Sequence, residues 1–156
     1  MTSPAFQDSF AHIHCFGCGR DNPGGLGIKS HWLQEGASSI CGFEPAAHHC
    51  AGPISCVNGG IIATVIDCHA ICTAMATAYL EEGRSLDSLP PIQFATASLQ
   101  VRYLRPARMG QLLLARADVV AVEGKKTLLK VEVTSGGEPC ATAEVVAVRV
   151  PADWQP

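Results

Sequence analysis

The stretch from Val57 to Leu80, VNGGIIATVIDCHAICTAMATAYL, constrains this chain more than any other. It opens on Asn-Gly-Gly and continues as a long apolar run whose one carboxylate is Asp67. Such a run is long enough to raise the question of a membrane span. Asp67, His69, three threonines and the glycines at its start argue instead for a buried central helix. An isolated acid in an apolar helix is costly without a partner or a task. The sequence therefore poses one question above others, namely what Asp67 does.

The rest of the chain supplies the walls. With 156 residues, 47% hydrophobic and 16% charged, it is long and apolar enough for one domain with a substantial core. The net charge of −3 gives no general attraction to nucleic acid or to an acidic membrane surface, so neither is expected as a partner. The N-terminus lacks a basic region followed by an apolar stretch, and a cytoplasmic location is expected. The eight cysteines are then read as reduced thiols, several of them small core residues.

Residues 1–26 read as a lead-in with no sustained period, loose or weakly helical at first and then a turn built on Cys15-Phe16-Gly17-Cys18-Gly19. Cys15 and Cys18 have the spacing of half a zinc site, with His12 and His14 nearby. No second pair follows at zinc-finger spacing, so no metal is expected. The domain proper is read as residues 27–150, and 151–156 as a short tail. Two strands, 27–33 and 37–43, are joined at Gln34-Glu35-Gly36. A loop with adjacent His48 and His49 leads to the helix, which Asn58 can cap and Gly83 can stop. Four strands follow, at 96–104, 111–122, 126–134 and 139–150, and are expected to form a meander. This order favours an α+β domain in which an antiparallel sheet curls around one helix.

Helical spacing groups Ala63, Asp67, Ala70, Ala74 and Ala78 on one stripe, and Ile62, Ile66, His69, Thr73 and Leu80 on another. Free N–H groups at the Gly-Gly start can stabilise developing negative charge, and a carboxylate in an apolar site can serve as base or nucleophile. Together these are two parts needed to attack an activated carbonyl.

Asn58-Gly59-Gly60 with Asp67 resembles the His-Gly-Gly…Asp motif of hotdog-fold acyl-CoA thioesterases of the phenylacetate-degradation type. Tyr103-Leu104-Arg105-Pro106 followed by Gly110 is similar to that family's strand-ending pattern, and the Cys15–Leu26 segment resembles a lead-in seen in some members. The resemblance implies a hotdog fold, a curved antiparallel sheet wrapped around one long central helix. It implies a homodimer at least, with a homotetramer also compatible, and hydrolysis of an acyl- or aryl-CoA thioester at the subunit interface. No cofactor is implied, coenzyme A being part of the substrate. Asp67 would take the place of the catalytic carboxylate, Gly59 that of the oxyanion-binding N–H, and Gly60 that of its neighbour. Asn58 stands where many members have His; it can cap and orient but cannot exchange a proton near neutral pH. Substrate phosphates would seek Arg105 and Arg108, then Arg102. Thr73 is a candidate for placing water.

Three competing readings remain at this level. A hotdog hydratase or dehydratase would use the loop around His48 and His49. A non-catalytic acyl-CoA-binding protein would account for Asn58. A metalloprotein would build on Cys15, Cys18, His12 and His14.

Overall fold

The computed structural model describes residues 3–156. Its elements are α1 (Phe6–Ser9), β1 (Ser30–Gln34), β2 (Ser38–Phe43), α2 (Gly59–Glu81), β3 (Gln93–Tyr103), β4 (Leu113–Glu123), β5 (Lys126–Ser135) and β6 (Glu138–Val150). The strands form one six-stranded sheet in the order β1-β2-β4-β5-β6-β3, with every pairing antiparallel. α2 packs against all six strands, and the sheet curls around it as in the hotdog fold.

The sheet order corrects the expected four-strand meander. β4, β5 and β6 do form one, through tight turns whose glycines, Gly124, Gly136 and Gly137, all have positive φ. β3 instead pairs with β6 and lies at an edge, while β4 pairs with β2. The connection from Leu104 to Leu112 is too long for a tight hairpin and carries the chain back across the sheet. Its middle is fixed to the start of the helix: Val57 donates to the Ala107 carbonyl at 2.9 Å and Met109 to the Ser55 carbonyl at 2.9 Å.

Small residues let the helix lie close to the sheet. One inner row reads Cys41, Ala115, Val133, Ala141 from β2 to β6, each almost wholly buried. The next reads Ser39, Ala117, Val131, Ala143. Alanines on α2 meet these rows, and Ala70, Ala74 and Ala76 are buried to 1% or less. α2 is long and apolar enough to cross a membrane, yet most of it is covered by the sheet.

α2 is defined at both ends. Asn58 caps it by accepting from the N–H groups of Gly60 at 2.8 Å and Ile61 at 3.3 Å. At the other end Gly83 (φ 62°) donates to Leu80 and Arg84 to Tyr79, a Schellman motif with glycine in the left-handed position.

The lead-in is less loose than its lack of period suggests. Phe6 and Phe10 are buried in the main core, and Phe10 stacks on Tyr79 with ring centroids 6.1 Å apart. Gln7, wholly buried, exchanges hydrogen bonds with Ser30, donating to its hydroxyl at 3.0 Å and accepting from its N–H at 2.8 Å.

Candidate active site

Asp67 is half-buried, on the one stripe of α2 that the sheet leaves uncovered: Gly60, Thr64, Asp67, Ile71 and Met75. This corrects the alanine stripe expected beside the acid, since Ala70 and Ala74 are wholly buried. The Oδ1 of Asp67 accepts a hydrogen bond from the Thr96 hydroxyl at 2.6 Å. Among the described residues no other group bonds to Asp67, so Oδ2 stays open.

Thr96 reaches the helix because of a bulge. In β3 the register shifts between Thr96, opposite Ala147, and Ser98, opposite Val146. The extra residue, Ala97, lets Thr96 face α2 while Leu99 and Val101 further along also face inward. Bulges commonly re-aim a side chain in this way.

Asp67 and Thr96 open onto a cavity of about 440 Å³. Ile71, Met75, Tyr79, Ile92 and Phe94 make its apolar wall, which includes the residues of α2 one and two turns beyond the acid. Cys15, Cys18, Cys68 and Cys72 line another part of it. The proportions suit an apolar group with one convergent polar centre.

The Gly-Gly start of the helix is in a second cavity of about 380 Å³, lined by Gly59, Ile62, Tyr103, Leu104 and Arg105. The Gly60 N–H is taken by the Asn58 cap. The Gly59 N–H has no acceptor among the described residues, and the helix dipole adds to its pull on an anion. The Tyr103 hydroxyl donates to the Gly59 carbonyl at 2.6 Å and ties this turn to the end of β3. Gly59 and Asp67 are eight residues apart on one helix, about 12 Å along its axis. They do not share a cavity within one chain.

The other expected residues fall in three places. Arg105, exposed beside the Gly59 cavity, pairs with Glu138 at 2.6 Å. Arg108 is exposed on the same connection, next to Arg105 in a shallow cavity that also holds Gln111 and Glu138. Arg102 is on the outer face of the sheet with Lys130, Glu132 and Glu144, away from both cavities. Six residues after Asp67 amounts to about 1.7 turns, which carries Thr73 to the sheet side of α2. There Thr73 is wholly buried and donates to the His69 carbonyl at 2.7 Å, so it does not place water in the Asp67 cavity of its own chain.

His69 is likewise wholly buried. Its Nδ1 is 2.8 Å from the Ser30 hydroxyl and its Nε2 3.2 Å from the Ser39 hydroxyl, which is 2.6 Å from the Thr73 hydroxyl. Because Thr73 donates to a carbonyl, Ser39 donates to Thr73 and accepts from His69 Nε2–H, which leaves Nδ1 to accept from Ser30. The ring is neutral, burial pushing its pKa down to about 4. In the loop before α2, His49 accepts from the Ala46 N–H at 2.9 Å and stacks on Phe43. Neither histidine lines the Asp67 cavity.

Sequence reasoning did not single out Thr96 or Cys68 and Cys72 as site residues. The thioesterase superfamily model matches residues 55–142 of this chain, from just before the Gly-Gly turn to the middle of β6. No curated protein matches. Among solved structures, a thioesterase superfamily protein from Shewanella loihica PV-4 is 31% identical, covering 93% of this chain and 99% of that one with a TM-score of 0.67. A phenylacetic acid degradation-related protein from Ralstonia eutropha JMP134 is 26% identical, covering 79% and 85% with a TM-score of 0.62. A Streptococcus mutans UA159 protein bound to acetyl CoA shares the fold at 17% identity, covering 79% and 88% with a TM-score of 0.63. With a six-stranded sheet around one helix and a match over more than half its length, this chain belongs to the thioesterase superfamily, as a hotdog-fold member of the phenylacetate-degradation type.

Proposed function

We propose that this protein is an acyl-CoA thioesterase for small or medium acyl or aryl groups, working as a homodimer. The observation that carries the reading is the Asp67 carboxylate, held by Thr96 at the polar end of an apolar cavity, with Oδ2 free. Asp67 takes a proton from water through Oδ2, and the water oxygen attacks the thioester carbonyl. The Gly59 N–H receives the resulting oxyanion. The C–S bond then breaks, and the coenzyme A thiolate recovers the proton, leaving a free acid and a free thiol.

The two groups act on one carbonyl only if they come from different protomers. β3 has an unpaired edge, and the uncovered stripe of α2 is beside it through the Thr96 and Tyr103 bonds. An exposed edge strand of this length is a ready template for a second chain. Antiparallel pairing of β3 with its copy reverses direction across the two-fold axis. That sets the helix start of one protomer near the mid-helix acid of the other. Arg105 and Arg108, close to the Gly59 end, are then available to coenzyme A phosphates. The acetyl CoA bound by the Streptococcus mutans relative supports this ligand class. A cytoplasmic setting, where acyl-CoA is found, goes with it.

The test is loss of thioester absorbance across a panel of acyl- and aryl-CoAs, with the protein's mass in solution measured alongside. Turnover of at least one thioester by a dimer or larger assembly is expected. Saturable binding with no turnover of any thioester would mean a binding protein instead, and conversion of an enoyl thioester without release of thiol would mean a hydratase.

A further inference from the structure

The fold brings together two pairs of cysteines that are far apart in the chain. Cys15 and Cys18 come from the lead-in turn, and Cys68 and Cys72 from adjacent turns of α2. The Sγ atoms of Cys15, Cys18 and Cys68 all lie within 4.8 Å of one another, with Cys15 and Cys68 at 3.6 Å. Cys72, one turn beyond Cys68 on α2, lines the same cavity and offers a fourth thiol. We propose that Cys15, Cys18, Cys68 and Cys72 bind one structural zinc ion beside Asp67.

Geometry and chemistry both favour this ion. Four thiolates around zinc, at a Zn–S distance of about 2.3 Å, sit about 3.8 Å apart, close to the Cys15–Cys68 spacing. The set has the two-pair form of a closed zinc site, with C-x-x-C in a glycine-rich turn and an i, i+4 pair on a helix. The turn is shaped for close approach. A Cβ at Gly17 would come within 2.2 Å of the Cys68 Sγ, and one at Gly19 within 2.4 Å of the Cys15 backbone nitrogen. Cys18, Cys68 and Cys72 are buried, whereas Cys15 is exposed and offers a route of entry.

Four thiolates in so small a volume repel one another, and a divalent ion held among them offsets that charge and displaces the thiol protons.

Four sulfur ligands leave zinc no open position, so its role is structural and not hydrolytic. Because Cys68 directly follows Asp67, the ion clamps the lead-in against the helix at the acid and closes that part of the cavity wall. His12 and His14 are exposed and are not needed as ligands.

The test uses the full chain, purified under reductant without chelator. Elemental analysis should find about one zinc per chain. The chain stripped of metal and refilled with Co²⁺ alone should show thiolate-to-cobalt charge-transfer absorption and the visible bands of a tetrahedral ion. Cys72→Ser should lose most of the zinc and melt at lower temperature. Cys15→Ser, at an exposed position that the core does not depend on, gives the same metal reading if the buried variant does not fold. Zinc below roughly a tenth per chain in the unaltered protein, with no thiolate–cobalt bands after refilling, would overturn the proposal. So would iron in place of zinc, or full zinc retention by both serine variants. No readout involves hydrolysis, so this result is independent of the thioesterase reading.

Discussion

The Thr96 hydroxyl donates to the Asp67 carboxylate at 2.6 Å, joining the middle of the central helix to an edge strand. That bond occupies one oxygen of the acid and leaves the other without a partner among the described residues. Thr96→Val keeps the shape and removes the donor. Hydrogen bonds to charged groups contribute about 1.5–3 kcal/mol, so kcat should fall roughly 10- to 100-fold with little change in KM. Steady-state kinetics on the best thioester of the panel checks this, and an unchanged kcat would remove Thr96 from the account.

Gly59→Pro tests the proposed oxyanion donor. Gly59 is the first residue of α2, where proline is well tolerated, and Asn58 before it already has ψ of 131°. The N–H that is lost has no partner among the described residues, so the melting temperature should change by only a few degrees, on the order of 1 kcal/mol. Loss of an oxyanion donor should lower kcat by about 100- to 1,000-fold.

The proposed sharing of each site between two protomers gives a sharper outcome. Asp67→Asn and Gly59→Pro chains, each expected to be inactive alone, should form hybrid dimers when co-expressed. One of the two sites in each hybrid then has both native groups. With random assortment half the dimers are hybrids, so activity should return to about a quarter of wild type. A site built within one protomer would show no recovery.

Asn58 tests the cap separately from the chemistry. Asn58→Ala removes the acceptor for two N–H groups of the first turn and should cost about 0.5–2 kcal/mol of stability, read by denaturant unfolding. Gly60→Ala should also disturb this turn, because its Cβ would sit 3.0 Å from the Asn58 Oδ1.

Beneath the site, Ser39→Ala leaves the His69 Nε2–H without its acceptor in a fully buried place. The expected loss is about 1–3 kcal/mol, again by unfolding. The residue is remote from the Asp67 cavity, so kcat should hold at temperatures where the variant is folded.

What was legible in the sequence was what periodicity and turn chemistry encode locally. Asn58 and Gly83 mark the helix ends, and Gly124, Gly136 and Gly137 mark the hairpins. Gly59 and Asp67 stand out as candidates by type and spacing. What stayed hidden depends on partners distant in sequence. The edge position of β3 follows from a crossing connection that has no period of its own. Thr96 was out of reach because the bulge at Ala97 resets the strand's faces, and alternation counted from Leu99 excludes it. Cys68 and Cys72 look like small core residues until the fold sets them against Cys15 and Cys18. Thr73 and Arg102 were candidates by proximity along the chain, and helix phase and strand face take them elsewhere.

The most direct measurement compares Asp67→Asn with wild type in hydrolysis of the acyl- and aryl-CoA panel, with circular dichroism to establish that both are folded. Direct thioester absorbance is the suitable readout, because eight cysteines would react with a thiol dye. The account predicts a fall in kcat of roughly 100- to 10,000-fold with coenzyme A thioester binding retained. Hydrolysis at the wild-type rate by a folded Asp67→Asn protein would contradict it.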